Sequence, residues 1–187
     1  MTEQLVKGTC LKSVVDFLQE RGMLDEVVGA LGPRSGEVFG TDLLSVSWYP
    51  VDAYLELLER VGDCAKPDAD DLFEKLGRRI IHDGLSGVYR AFMAPTSLSL
   101  LHGLRRGHQL WNLYFRGGVF KFVELDEHNA RIQVHGEERT TRAFCRTRQA
   151  GIGEALVMAG ANNPQVSHAR CVLRGDGLCE FDLSWTD

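Results

Sequence analysis

The sequence predicts an α+β fold, with N-terminal helices packed on a four-stranded antiparallel sheet and β-β-α-β-β order in the C-terminal half. Three observations predict it. Apolar residues recur at helical spacing from near the start as far as the Gly117-Gly118 pair. After that pair the pattern changes to short apolar runs of strand character. Two hairpin-like segments then flank one helical stretch. Helices followed by hairpins indicate segregated elements on one sheet rather than alternating parallel units.

The elements follow in order. Residues 10–31 read as helix, with Val14, Val15, Leu18, Met23, Leu24, Val27 and Val28 as its apolar positions and Gly22 dividing it in two. Gly32-Pro33-Arg34-Ser35-Gly36 is expected to be a loop. Trp48-Tyr49-Pro50 ends a loop and opens a helix, Pro50 suiting the first turn; Val51, Tyr54, Leu55, Leu58 and Val61 share one face of that helix. Lys66-Pro67-Asp68 is a turn, and Asp68 or Asp70 can cap a helix over about 70–82. Residues 84–94 continue as helix after a kink at Gly84, and Pro95-Thr96 opens a long amphipathic helix to about Phe115, marked by Leu98, Leu101, Leu104, Trp111 and Tyr114. Strands are expected at 119–125 and 130–135, joined by Asp126-Glu127-His128-Asn129. Thr140 or Thr141 can cap a helix reaching Met158, and residues 160–164 form a loop. The second hairpin spans 166–173 and 178–185 around Gly175. The whole is one α+β domain, 1–187, within which 1–65 could stand as a helical subdomain and 66–187 as the core.

Composition bounds the function. The chain of 187 residues is 44% apolar and 25% charged with net charge −5, enough for one good core. No apolar run approaches the roughly 18 residues that span a bilayer, and the N-terminus has no secretory pattern. A cytoplasmic location is therefore expected, with no membrane partner. The mild acidity argues against nucleic acid, which needs a basic face. In that compartment five cysteines are thiols or metal ligands before they are disulfides.

The C-terminal hairpin is the most specific feature. Cys171 and Cys179 sit on its two arms, about level, around a Gly-Asp-Gly turn in which Asp176 reads as a turn-former. They are either metal ligands or adjacent small apolar residues. Arg139, Arg142, Arg146 and Arg148 cluster at the start of the interhairpin helix. They could bind an anion at its free N–H groups, but a solvated basic face paired with Glu137 and Glu138 is the simpler reading. Gly151-Ile152-Gly153 lacks the strand and third glycine of a dinucleotide loop, and neither a Gly-x-Ser-x-Gly nor a phosphate-binding loop is present.

Residues 117–185, with a Gly-ended long helix, two hairpins around one helix and a Cys-x7-Cys-x-Phe ending at Phe181, resemble the 4-vinyl reductase domain. That domain belongs to the superfamily called the ligand-binding fold of NO signalling and Golgi transport, with haem-NO-binding sensors, TRAPP tethering subunits and phenol-responsive regulators. The full chain also resembles a myxobacteria-restricted family of uncharacterised proteins, through Lys7-Gly8, Trp48-Tyr49-Pro50 followed by Tyr54-Leu55-Glu56-Leu57-Leu58, Leu76-Gly77-Arg78-Arg79 and the Leu-Ser-Trp terminus.

The resemblance implies particular sites. Phenol-responsive regulators hold zinc with a cysteine early in the interhairpin helix, a glutamate three residues before the first hairpin cysteine, and a cysteine eight residues after it. The matching positions here are Cys145, His168, Cys171 and Cys179. Histidine replaces glutamate, and Cys3His is a common structural zinc set. Four protein ligands would leave no open position for catalysis. His168 and Cys171 face opposite sides of a regular strand, so ligation requires a bulge or turn between them. Ligands of this fold sit between sheet and helices, which makes Trp111, Tyr114, Phe115, Phe120, Phe122 and Phe144 the candidate pocket, unless they are plain core. Haem is not expected: His82, His102 and His108 are available, but the Tyr-x-Ser-x-Arg signature of haem-NO sensors is missing.

The expected function is a noncatalytic small-molecule-sensing or regulatory domain, braced by structural zinc and acting through an unknown protein partner as a homodimer. The alternative is an interaction module resembling TRAPP subunits, with the pocket filled by side chains. An enzyme ranks last, since no nucleophile or acid–base pair stands out.

Overall fold

A computed structural model describes residues 4–85 and 107–186. The architecture is α+β, as the sequence predicts, with two antiparallel sheets rather than one. The strands and helices are β1 (Leu5–Lys7), α1 (Gly8–Gln19), α2 (Leu24–Gly29), α3 (Pro33–Phe39), β2 (Trp48–Pro50), α4 (Val51–Cys64), α5 (Ala69–Leu85), α6 (Gly107–Tyr114), β3 (Phe115–Arg116), β4 (Val119–Glu124), β5 (Asn129–His135), α7 (Arg142–Met158), β6 (Asn162–Arg170) and β7 (Cys179–Thr186). The expected helix over 84–94 lies almost wholly outside the described residues, as does the first part of the long helix expected from Pro95 to about Phe115, with Leu98, Leu101, His102 and Leu104; the described part of the latter, α6, ends at Tyr114, and Phe115 opens β3.

The N-terminal half is helical for the reason its spacing gives. Helix α4 buries Val51, Tyr54, Leu55, Leu58 and Val61. Helix α1 begins at Gly8, and Gly22, at φ 66°, separates it from α2 as expected. Two local expectations are corrected. Gly32 to Gly36 is not a loop: Pro33 opens α3, its fixed φ suiting the first helical position. Trp48-Tyr49-Pro50 does more than open α4, because it pairs with β1 as an outer strand of a three-stranded sheet ordered β2-β1-β3.

The larger sheet has the order β4-β5-β7-β6. Its central strand β5 alternates half-buried and buried residues along its length, which is the signature of one covered and one open face. Thr141 caps α7, its hydroxyl accepting from the Phe144 N–H at 3.2 Å. Strand β6 starts at Asn162, inside the stretch expected as a loop, and its register shifts between His168 and Arg170. The chain then makes a single 3-10 turn, Val172–Arg174, before β7, so the second hairpin is less regular than its apolar pattern suggested.

One core cluster joins β1, α1, α4 and α5 and takes in Ala143 and Phe144 of α7. A second lies between α7 and the sheet, around Ile132, Val134, Cys145, Leu156, Cys179, Phe181 and Leu183. Helix α7 thus belongs to both. Across the sheet, Phe122 pairs with Ile132, Ile132 with Phe181, and Phe181 with His168. This row on the α7 side leads from the aromatic residues of β4 to the imidazole of β6.

Candidate metal centre and apolar cavity

The second hairpin is shaped by its turn. Gly175 takes φ 88°, and the Asp176 carboxylate accepts from the Cys171 N–H at 2.7 Å. Arg174 donates to the carbonyls of His168 and Ala169. The register shift after His168 supplies the irregularity that alternation would otherwise forbid, turning His168 and Cys171 to one side. Asp176 is therefore more than a turn-former, since it fixes the backbone at Cys171. Only the Gly-Asp-Gly sequence hinted at that.

The ligating atoms of Cys145, His168, Cys171 and Cys179 all lie within 4.8 Å of one another. The Cys171 sulfur is 3.9 Å from that of Cys145 and 3.9 Å from that of Cys179. A tetrahedral zinc with bonds of about 2.3 Å sets its sulfurs about 3.8 Å apart, so the spacing fits. All three cysteines are buried. The His168 Nε2 atom is buried with no hydrogen-bond partner, and its ring stacks on Phe181 at 4.4 Å. One imidazole nitrogen and three thiols so placed could hold a divalent cation. Without one the thiols share protons: hydrogen bonding with Cys179 lowers the Cys145 pKa against the effect of burial, while the same contact and burial push Cys179 up to about 12. A bound cation would displace those protons.

The six aromatic residues singled out from the sequence, Trp111, Tyr114, Phe115, Phe120, Phe122 and Phe144, border one cavity of about 160 Å³ between α5, α6, α7 and the sheet. Trp111 stacks on Phe115 at 4.6 Å and on Phe120 at 5.7 Å. The Tyr114 hydroxyl donates to the Gly84 carbonyl at 2.6 Å. The cavity is smaller than the several hundred cubic ångströms of a drug-sized site and close to the ~150 Å³ that holds benzene.

The arginine cluster divides. Arg139 pairs with Asp52, and Arg142 and Arg146 with Asp70, at exposed positions, in keeping with a solvated face though with other partners than expected. Arg148 departs from it. Its side chain is buried, 6% exposed, in a two-pronged pair with an equally buried Glu137. The guanidinium lies 4.2 Å from the Phe144 ring centre and borders the cavity. Its position was readable: Arg148 lies four residues after Phe144 and so on the same helical face.

His82 and His108 are exposed, so among the described residues no histidine borders the cavity. His102 lies outside the described residues.

No protein-family model matches the chain, and no curated protein matches it in sequence. Solved structures do match. An H-NOX protein from S. oneidensis in its Fe(II)NO ligation state superposes with a TM-score of 0.74 at 12% identity, covering 97% of this chain and 99% of that one. The unliganded Fe(II) H-NOX protein from K. algicida gives 0.71 at 12% identity, covering 97% of each chain. An H-NOX structure from a study of haem distortion gives 0.66 at 11% identity, over 97% of this chain and 95% of that one. The likeness is one of fold. It bears on one expectation: the first two neighbours are described by their Fe(II) states and the third by its haem, so the missing signature is no sufficient ground for setting haem aside.

Proposed function

We propose that the chain is a noncatalytic small-molecule-sensing domain, with an apolar ligand between α7 and the sheet and a structural zinc ion at Cys145, His168, Cys171 and Cys179. The observation that carries this reading is the double role of α7. It presents Cys145 to the sulfur–imidazole cluster, and Phe144, Thr147, Arg148, Gly151 and Ile152 to the cavity. Zinc would tie the first turn of α7 to the β6–β7 hairpin and so hold one wall of the cavity in place. Occupancy of the cavity would then be read by a protein partner.

The deciding experiment is metal analysis of the purified protein by mass spectrometry beside the Cys171→Ser, Cys179→Ser variant. About one zinc per chain, lost in the variant, supports the centre. A metal-free protein prepared without chelator sinks it and returns the cysteines to packing residues.

A second reading, haem, is favoured by the fold of the H-NOX neighbours. The described residues do not fit it: none of the histidines among them faces the cavity, which has room for about one ring. Titration with haemin separates the two. A sharp Soret band that is absent in His102→Ala would establish haem, and an unchanged free-haemin spectrum would leave the apolar ligand.

A further inference from the structure

We infer that the groove bounded by α1, α2, α3 and the segment after α3 receives an amphipathic helix of a partner protein, apolar on one side and flanked by Lys or Arg. This groove lies on other elements than the sulfur–imidazole cluster and the aromatic cavity, and so stands or falls apart from both.

Helix α2 carries apolar residues on two sides. Val27 is fully buried in the N-terminal core. Leu24 and Val28, four residues apart and so on one face, are half-buried and line the groove instead. Val15 of α1, Phe39 of α3 and Leu43 complete its apolar lining. The groove holds about 700 Å³, against about 160 Å³ for the aromatic cavity. Gly29 stands in its wall, and a Cβ there would meet nothing within 4 Å, so the backbone is bare to an approaching helix. Leu43 leads on to Leu44 and Val46, 58% and 77% exposed. Their segment is pinned all the same: the Thr9 hydroxyl donates to the Ser45 carbonyl, and the Leu44 N–H donates to the Tyr49 hydroxyl. Apolar surface held in water behind a polar rim marks a protein contact, and an apolar groove between helices is the seat of a helical peptide.

Charge chooses the occupant. Lys12, the one cation among the lining residues, is bonded to Asp16 at 3.3 Å. Asp25 and Asp42 also line the groove, and neither has an ion pair among the described residues. Over residues 8–47, six acidic residues stand against three basic ones. Such a rim attracts Lys and Arg and repels an anionic lipid surface. Pairing of this face with a second copy about a two-fold axis would set the same acidic patch against itself.

The test is fluorescence anisotropy of a labelled peptide of about 18 residues, long enough to form a helix, with leucines on one face and lysines on the other, titrated with the full chain. One control peptide has the same composition with the leucines scattered, and a second has glutamate for lysine. The two-faced lysine peptide is expected to bind about tenfold more tightly than either control. Gly29→Trp fills the groove with no clash at its Cβ, so it melts with the wild type while binding of that peptide falls about tenfold. Asp25→Lys with Asp42→Lys turns the preference toward the glutamate peptide. Equal binding of the three peptides, no binding, or binding that Gly29→Trp leaves unchanged overturns the inference. A wild-type dimer in sedimentation that Gly29→Trp dissociates also overturns it and gives the groove to a second copy. Binding to phosphatidylglycerol vesicles that Gly29→Trp abolishes overturns it in favour of a membrane.

Discussion

Arg148 and Glu137 show how much a single buried pair can hang on its partner. Each charge is removed from water, and the other is what makes that tolerable. Glu137→Ala strands a buried guanidinium and is expected to cost about 3–5 kcal/mol, read as a lower midpoint in urea denaturation. Glu137→Leu with Arg148→Met, which removes both charges, recovers most of the loss. A full loss in that double variant would show that packing, not charge, was at stake. Glu56 makes the opposite case at a half-buried site. Its carboxylate accepts from the Ser35 hydroxyl and the Gly32 N–H at the start of α3, in that order of effect, and its pKa falls below the ordinary 4.5. Because the folded value lies below the unfolded one, this contribution is fully present above about pH 4.5 and fades as pH falls through the folded value. Glu56→Gln is thus expected to cost about 1 kcal/mol at neutral pH and progressively less on acidification, with little left at a pH below the folded value. An equal cost at neutral and acid pH would remove the carboxylate from the account. From sequence, the four metal-ligand candidates were legible through spacing and resemblance. The burial of Arg148 was not drawn from its helical position, because a run of four arginines reads first as a surface.

Among the elements, legibility followed length. Strand β5 and helix α4 carry several repeats of their periods, so the pattern declares them. Strands β1, β2 and β3 span three, three and two residues, too short for an alternation to register. They form through pairing with one another, which only the folded chain supplies. Helix α3 hid behind two glycines and a proline. The packing of α5 on α7 was invisible for another reason: it depends on missing atoms. A Cβ at Gly77 would stand 2.1 Å from the Thr147 carbonyl oxygen, and one at Gly151 would stand 2.9 Å from Ile81. The backbones approach closely because neither glycine has a side chain. Gly77→Ala must push two helices apart, and about 3 kcal/mol of destabilisation is expected, with a lower thermal midpoint. Both glycines border the cavity, so the same variant should weaken binding of any ligand there. An unchanged midpoint would mean that the helices separate without cost.

Over the whole molecule, the zinc proposal gives a stability signature that packing alone would not. An ion bound only by the folded chain stabilises it by about 4 kcal/mol when present at a thousandfold its dissociation constant. For a chain of this size that amounts to about 10 °C in melting temperature. Chelation is expected to remove that increment from the purified protein, and zinc to restore it. Cys179→Ser should melt near the chelated value and ignore chelator. A wild-type melt indifferent to both treatments would assign the cluster to the core. Among the described residues no helix is long and apolar enough to cross a membrane.

Where Cys145 lies along α7 has a mechanical consequence. It is the fourth of 17 residues, so a tether there grips the helix near one end and leaves about 20 Å of rigid rod up to Met158. Turned about that pivot by five degrees, the far end sweeps about 1.7 Å, while the gripped end barely moves. Val157, nearly half exposed at that far end, is where a small displacement inside the molecule would be magnified for a reader outside.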